Sequence, residues 1–180
     1  MIKIFSTNEV KQGSEKWLAL RSNYISGTDA YDLLRGKTVT EILSNKVNNS
    51  FKGNFWTIRG HVLEDEAKEI YSEVFQPTLD VGFVINDKYP YCGVSPDSLV
   101  SDDGLVEVKA FNAKRHLDVF RRIDPHIVAQ TQYQLFVTER AWCDLVLYNP
   151  DLDPEQAFLV KRQYPKKTIQ DKFHEIFSTL

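Results

Sequence analysis

Residues 95–109 have the sequence SPDSLVSDDGLVEVK, which combines a turn with a strand-like run. Its second half alternates apolar and charged residues, as a short β-strand does. Successive side chains of a strand point to opposite faces, so Glu107 and Lys109 share one face and the neighbouring valines the other. The turn-forming residues 102–104 (DDG) predict a hairpin that folds Asp97 back towards Glu107. We therefore expect two carboxylates and a lysine at one place on a sheet.

These residue types suit hydrolysis of a phosphodiester. Asp97, Glu107 and a main-chain carbonyl such as that of Val108 form an all-oxygen ligand set for a hard cation such as Mg²⁺. A bound cation polarises a phosphate and activates water, and the ammonium of Lys109 orients that water or stabilises developing charge. The motif is short, so a structural alternative stays open. In that alternative Glu107 and Lys109 form a surface cross-strand pair, and Asp97 is a turn residue after proline.

The pattern along the chain predicts helices flanking a sheet. In the first quarter Ser14 caps one helix, a second runs over 27–34 and stops at Gly36, and Thr38 with Glu41 forms a capping box for a third. The longest predicted helix runs over 56–75. The remaining predicted elements are strands at 81–85, 91–94, 105–109, 143–148 and 157–164 and helices at 124–136 and 168–177, with the turn 102–104 between the second and third strands. The fold class is α+β or α/β, with a central mixed β-sheet flanked by helices.

Composition favours one protein domain with a reduced interior. The 180 residues are 42% hydrophobic, which is enough for one sizeable core, so we expect a single domain over residues 1–180. Cys92 and Cys143 lie in apolar, strand-like runs without metal-ligand spacing, which predicts neither disulfides nor zinc. No apolar run reaches the roughly 18 residues of a membrane-spanning helix, and the start lacks a signal peptide. We expect no membrane association and a cytoplasmic location.

The net charge of −3 argues weakly against a protein that coats nucleic acid through its overall charge. A nuclease does not need a basic surface throughout. Divalent cations and a local basic groove can hold phosphates instead.

Taken with its flanks, the chain resembles the phage lambda exonuclease family, also called YqaJ-like viral recombinases, within the PD-(D/E)xK nuclease superfamily. The resemblance extends from about residue 17 to residue 148. Five pieces agree in order: 17–21 (WLALR), 25–28 (ISGT), 60–64 (GHVLE), the core 95–109, and 129–133 (AQTQY). The resemblance implies a restriction-endonuclease-like core.

The resemblance also implies roles for the site residues. Asp97, Glu107 and the Val108 carbonyl would bind metal, Lys109 would be catalytic, Glu64 would approach a metal from the long helix, and Gln130 would assist positioning. The implied cofactor is Mg²⁺, with two ions possible and Mn²⁺ as a substitute. Without the resemblance, Glu64 is an ordinary carboxylate on a solvated helix face and Gln130 a surface amide.

A pocket for a 5′ phosphate is implied at Arg21, Thr28, Ser95 and Arg115. Arginine guanidinium groups and hydroxyls donate hydrogen bonds to phosphate oxygens, which fits this role. For Arg115 an exposed basic residue beside Lys114 is an equal alternative.

The chain departs from the family in places. Members commonly continue the lysine strand with Cys-Pro and follow the catalytic aspartate with glycine, whereas this chain has Ala110-Phe111 and Ser98. Thr28 stands where serine is usual. The metal ligands survive these changes.

Three functions follow as hypotheses. The first is a Mg²⁺-dependent exonuclease that degrades one strand of linear double-stranded DNA from its 5′ end, for phage-type recombination with a single-strand annealing partner. A homo-oligomer, by resemblance a ring-shaped trimer, would go with it. The second is another PD-(D/E)xK endonuclease, restriction-type or RecB-like, which would cut circular DNA. The third is a non-catalytic DNA-end-binding module.

Overall fold

Helices surround two β-sheets in the computed structural model, which describes the backbone of residues 1–48 and 55–180 and the side chains of residues 1–47 and 60–180. A 3₁₀ turn spans Gly27–Asp29. The elements in chain order are β1 (Ile2–Ser6), α1 (Glu15–Ser22), α2 (Ala30–Leu34), α3 (Val39–Asn48), α4 (Phe55–Val74), β2 (Thr78–Leu79), β3 (Val81–Asn86), β4 (Gly93–Val94), β5 (Ser98–Val100), β6 (Gly104–Lys109), α5 (Ala113–Arg121), α6 (Pro125–Thr138), β7 (Trp142–Tyr148), α7 (Pro154–Ala157), β8 (Phe158–Gln163) and α8 (Lys167–Ser178).

The larger sheet is mixed, as the sequence predicts. Its five strands lie in the order β2-β5-β6-β7-β8. Strands β6 and β7 are parallel, and the other neighbours are antiparallel. The smaller sheet, in the order β1-β3-β4, is antiparallel. The expectation of a central mixed sheet flanked by helices is confirmed.

The hairpin that carries the site differs from the predicted one. The strand at 93–94 pairs with β3 in the smaller sheet, so the prediction that 91–94 forms the hairpin with 105–109 is wrong. The partner of β6 is instead β5, with Leu99 opposite Leu105. The physical reason is Pro96, which cannot donate to a ladder and therefore separates two short strands. The turn lies at 101–103, close to the predicted position.

Opposite faces of strand β6 pack against different helices. Val106 and Val108 lie in one buried cluster with Leu63 and Ala67 of α4. Leu105, on the other face, belongs to the cluster that contains residues of α2, α6 and α8. The predicted alternation along 105–109 is confirmed, and it places Glu107 and Lys109 on the side of α6.

Capping side chains begin the helices at the predicted positions. The Ser14 side chain accepts a hydrogen bond from the Trp17 N–H, and Asp124 caps α6 with proline behind it. Thr38 and Glu41 bond reciprocally at the start of α3. Because these signals are local, sequence reasoning finds them.

Five elements were not predicted: β1, β2, β5, α5 and α7. Strand β1 was missed because the first quarter of the sequence suggests helices, whereas its pairing with β3 is a contact between distant residues. Strands β2 and β5 and helix α7 have only two to four residues each, too few for a periodic pattern. Helix α5, capped by Asn112, was also missed. Within the described residues, no helix is both long and apolar enough to cross a membrane.

Candidate active site

The hairpin brings Asp97, Glu107 and Lys109 together. The register pairs Ser98 with Val106, so one further step places Asp97 opposite Glu107. Asp97 Oδ2 accepts a hydrogen bond of 2.6 Å from the Val108 N–H. Lys109 Nζ donates to Glu107 Oε1 at 2.6 Å. The three residues that the sequence singles out therefore form one cluster.

Two glutamines of α6 hold the Glu107 carboxylate. Glu107 is buried, with a relative exposure of 3%. Gln130 Nε2 donates to Oε1 at 2.5 Å, and Gln134 Nε2 donates to Oε2 at 2.7 Å. Gln130 thus lies where the resemblance implies. Gln134 was not predicted, although it lies one helical turn further along the same face.

Glu64 approaches the cluster from α4. Burial raises the pKa of Glu64 against the opposing charge of Lys68, and the nearby Glu107 carboxylate adds to the rise. Burial also raises the pKa of Asp97, and Glu107 and Glu64 raise it further. These mutual effects show that the three carboxylates share one electrostatic environment.

A groove opens beside these acids. Its volume is about 790 Å³, and it is lined by Glu64, Asp97 and residues of the loop between β1 and α1, including Lys11, Gln12 and Ser14.

Burial acts to lower the pKa of Lys109, but Glu107 and Asp97 outweigh it and raise that pKa. The lysine therefore stays protonated beside the two carboxylates.

The donor set fits a hard divalent cation. Asp97, Glu107 and Glu64 provide carboxylate oxygens that repel one another, and a cation would offset that repulsion. In the described part of the chain, no group of three or more His, Cys, Asp or Glu side chains is already spaced as a metal shell. Asp97 Oδ2 and both oxygens of Glu107 accept hydrogen bonds from the protein, and a carboxylate oxygen that accepts one hydrogen bond keeps a second lone pair.

A second polar cluster contains three of the four residues expected to bind a 5′ phosphate. Arg21 Nη2 donates to Thr28 Oγ1 at 2.5 Å and to Ser26 Oγ at 3.3 Å. The Arg21 guanidinium lies 5.0 Å from the centroid of the Trp17 ring. Trp17 Nε1 in turn donates to Ser95 Oγ at 2.7 Å. Arg21 therefore contacts Thr28 directly and is linked to Ser95 through Trp17.

Lys46 joins this second cluster without a sequence signal. Its Nζ lies 2.5 Å from Asp29 Oδ2 and donates to Ser26 Oγ at 3.2 Å. Asp29 also accepts from the Ser26 hydroxyl at 2.6 Å. Because Lys46 follows these residues on another helix, only the folded chain brings it here.

Arg115 makes its contacts elsewhere. Its Nη2 lies 3.9 Å from Asp124 Oδ2, and its guanidinium lies 4.6 Å from the centroid of the Phe111 ring. Among the described residues, no hydrogen bond joins Arg115 to Arg21, Thr28 or Ser95.

Ser98, a departure from the family pattern, links the hairpin to α4. Its hydroxyl donates to Asp80 Oδ1 at 2.7 Å. The other oxygen of Asp80 accepts from Lys68 Nζ at 3.1 Å. Lys68 also lies 3.9 Å from Glu64 Oε1, so the serine hydroxyl connects Asp97's strand to the helix that carries Glu64.

Asp97→Asn should stabilise the metal-free protein. The amide removes a negative charge between Glu107 and Glu64, while its oxygen can still accept the Val108 N–H. Urea unfolding in chelator should show a free energy of unfolding that rises by about 0.5–2 kcal/mol. Asp171→Asn, at an exposed carboxylate paired with Lys167, is the control and should give no rise. A lower unfolding free energy for Asp97→Asn would show that repulsion does not dominate at this position.

Known structures share this fold. The alkaline exonuclease LHK-Exo from Laribacter hongkongensis is 24% identical, with a TM-score of 0.80 over 92% of this chain and 90% of that one. The same protein has been solved in complex with dAMP, and that structure matches equally well. A phage-related exonuclease from Haemophilus somnus 129PT is 14% identical, with a TM-score of 0.51 over 92% of this chain and 79% of that one. No curated protein matches the sequence significantly.

The family assignment rests on the sequence match. A model of the YqaJ-like viral recombinase domain matches residues 16–141, which is more than half of the chain and includes both polar clusters. The match begins beside Trp17 and ends just before β7, so it contains the hairpin and the glutamines of α6. The chain belongs to the YqaJ-like viral recombinase family.

Proposed function

We propose that the protein is a metal-dependent DNA exonuclease that hydrolyses one strand of linear double-stranded DNA from its 5′ end. The observation that carries the proposal is the cluster of Asp97, Glu107 and Lys109, which lies beside a surface groove that Asp97 and Glu64 line. Family membership supports a recombination role, in which the exposed single strand passes to an annealing protein. A ring-shaped homotrimer in the host cytoplasm belongs to the same proposal.

The chain supplies the ligands and the positive charge for hydrolysis. Asp97, Glu107, the Val108 carbonyl and Glu64 would hold Mg²⁺, as one ion or two, and Mn²⁺ can take its place. When bound, the ion polarises the scissile phosphate and lowers the pKa of the attacking water. Lys109 is held 2.6 Å from Glu107 Oε1, where its remaining donors can orient water or neutralise charge on the phosphate. Gln130 fixes the same carboxylate oxygen.

The 5′-to-3′ direction of degradation would come from the second polar cluster, which contains Arg21, Thr28 and Ser95. Among the described residues Arg21 forms no ion pair, and its hydrogen-bond partners are the hydroxyls of Thr28 and Ser26. The nearby Asp29 is already paired with Lys46. The guanidinium therefore has donors to offer a terminal phosphate, with Ser95 close by through Trp17. A 5′ phosphate held there would position the scissile bond relative to the acidic cluster.

Arg115 stays in the proposal as the residue that closes the other side of the phosphate pocket. Its support is the resemblance, since its present contacts are with Asp124 and Phe111. The Asp124 pair is long, at 3.9 Å, and partly exposed. Such a pair contributes at most about 1 kcal/mol, so a DNA phosphate can displace it.

A substrate panel tests the function. Linear 5′-phosphorylated, linear 5′-hydroxyl and covalently closed circular duplexes are each incubated with Mg²⁺ or with chelator. The linear duplexes should be degraded with Mg²⁺, the circle should stay intact, and chelator should stop all hydrolysis. Cleavage of the circle would favour an endonuclease instead. Metal-independent binding to ends without hydrolysis would favour a non-catalytic end-binding module.

Glu64→Gln should reduce hydrolysis far more than Glu69→Gln. Glu64 adjoins Asp97 and Glu107, whereas Glu69 is an exposed carboxylate of the same helix. Initial rates at limiting Mg²⁺ should fall by about tenfold or more for Glu64→Gln and stay near wild type for the control. Glu66 is a less suitable control, because it accepts a hydrogen bond from the Tyr148 hydroxyl. Equal rates for the two variants would remove Glu64 from the metal site.

Arg21→Ala should slow degradation of 5′-phosphorylated ends and leave 5′-hydroxyl ends nearly unchanged. Losing charge-assisted hydrogen bonds of about 1.5–3 kcal/mol corresponds to a rate loss of roughly 10- to 100-fold. Initial rates on both ends give the ratio directly. Arg35→Ala, at an exposed arginine that follows the last residue of α2, is the matched control. An unchanged ratio for Arg21→Ala would rule out this phosphate pocket.

A further inference from the structure

Gln134 has an unusual environment for a buried amide. Its side chain is 1% exposed. Its Nε2 donates to Glu107 Oε2 at 2.7 Å, but its Oε1 has no hydrogen-bond partner among the residues that the structure describes. A buried acceptor without a partner destabilises a folded protein. The amide nevertheless takes this orientation, because turning it over would place Oε1 against the Glu107 carboxylate.

The second oxygen of Glu107 depends on this amide. Oε1 accepts from both Lys109 and Gln130, so its two lone pairs are occupied. Oε2 accepts from Gln134 alone among the described side chains. One lone pair of Oε2 is left, and a cation can use it. Gln134 therefore determines where the available lone pair of Glu107 points.

We propose that Gln134 is a positioning residue, which fixes Glu107 Oε2 for a divalent cation at the expense of its own unpartnered oxygen. This inference rests on the proposed function. Two amides would then orient the Glu107 carboxylate. Gln130 holds Oε1 together with Lys109, and Gln134 orients Oε2. Partners that orient a metal-binding side chain typically change metal affinity by about 10- to 100-fold when removed.

Another glutamine of the same helix provides a matched control. Gln132 is fully buried, like Gln134. Both ends of its amide have partners, since Nε2 donates to the Tyr164 carbonyl at 2.8 Å and Oε1 accepts from the Lys166 N–H at 2.7 Å. Its contacts tie α6 to the segment before α8. Gln132 thus has a structural role, in contrast to Gln134.

Replacement of each glutamine by methionine separates the two roles, because methionine has a similar volume and no amide. Gln134→Met removes the unpartnered oxygen but also a donor to Glu107, so these effects on stability oppose each other. Its Tm without metal should stay within about 3 °C of wild type. Gln132→Met only loses hydrogen bonds, and its Tm should fall by more than that.

Metal affinity and kinetics then decide the inference. Isothermal titration of the purified protein with Mn²⁺ should give a Kd about tenfold or more above wild type for Gln134→Met and an unchanged Kd for Gln132→Met. At limiting Mn²⁺, kcat on linear DNA should fall for Gln134→Met while KM for DNA stays the same. A wild-type Kd for Gln134→Met, or a Tm loss as large as that of Gln132→Met, would overturn the inference about Gln134 and leave the proposed function standing. If wild-type protein neither binds Mn²⁺ nor hydrolyses DNA, the proposed function and the inference both fail.

Discussion

The antiparallel register between β5 and β6 is the constraint on which the site depends. It places Asp97 opposite Glu107 and lets the Val108 N–H bond to Asp97. The same register buries Val106 and Val108 against α4. Because strand side chains alternate, a slip of one residue would turn Glu107 into the apolar core and the valines towards α6. Core packing and site geometry are therefore enforced by the same pairing, and neither can change alone.

Grouping three carboxylates, of which Glu107 is buried and Asp97 and Glu64 are partly buried, destabilises the fold, and the surrounding donors offset only part of this effect. Lys109 supplies one charge, the α6 glutamines supply two amide donors, and Lys68 neutralises the outer side near Glu64. What remains is a site whose charges repel one another and whose core includes an unpartnered amide oxygen. A cation bound in the role that we propose would relieve this local instability, since the ion's charge offsets the repulsion.

The sequence predicts most of what is local in this molecule and little of what is distant. Alternation along 105–109 and the helix caps are short-range patterns, so strand β6 and the starts of α1, α3 and α6 were predicted correctly. Proximity of Glu64 to the hairpin came from the resemblance alone, because no spacing rule relates residues so far apart in the chain. Lys46 reaches Asp29 only through the packing of α3. Gln134 could have been found, since it follows Gln130 by one helical turn. Nothing in the sequence, however, indicates that its amide contacts Glu107 on another element.

We propose that Asp97, Glu107 and Lys109 act as one hydrolytic site. The measurement is the initial rate of hydrolysis of linear 5′-phosphorylated duplex DNA with Mg²⁺. It compares wild type with three variants, Asp97→Ala, Glu107→Ala and Lys109→Ala. Circular dichroism first shows that each variant is folded. All three variants should lose nearly all activity, the first two through loss of metal ligands and the third through loss of charge at the phosphate. Wild-type turnover by any one of these folded variants would show that its residue is not part of the hydrolytic site.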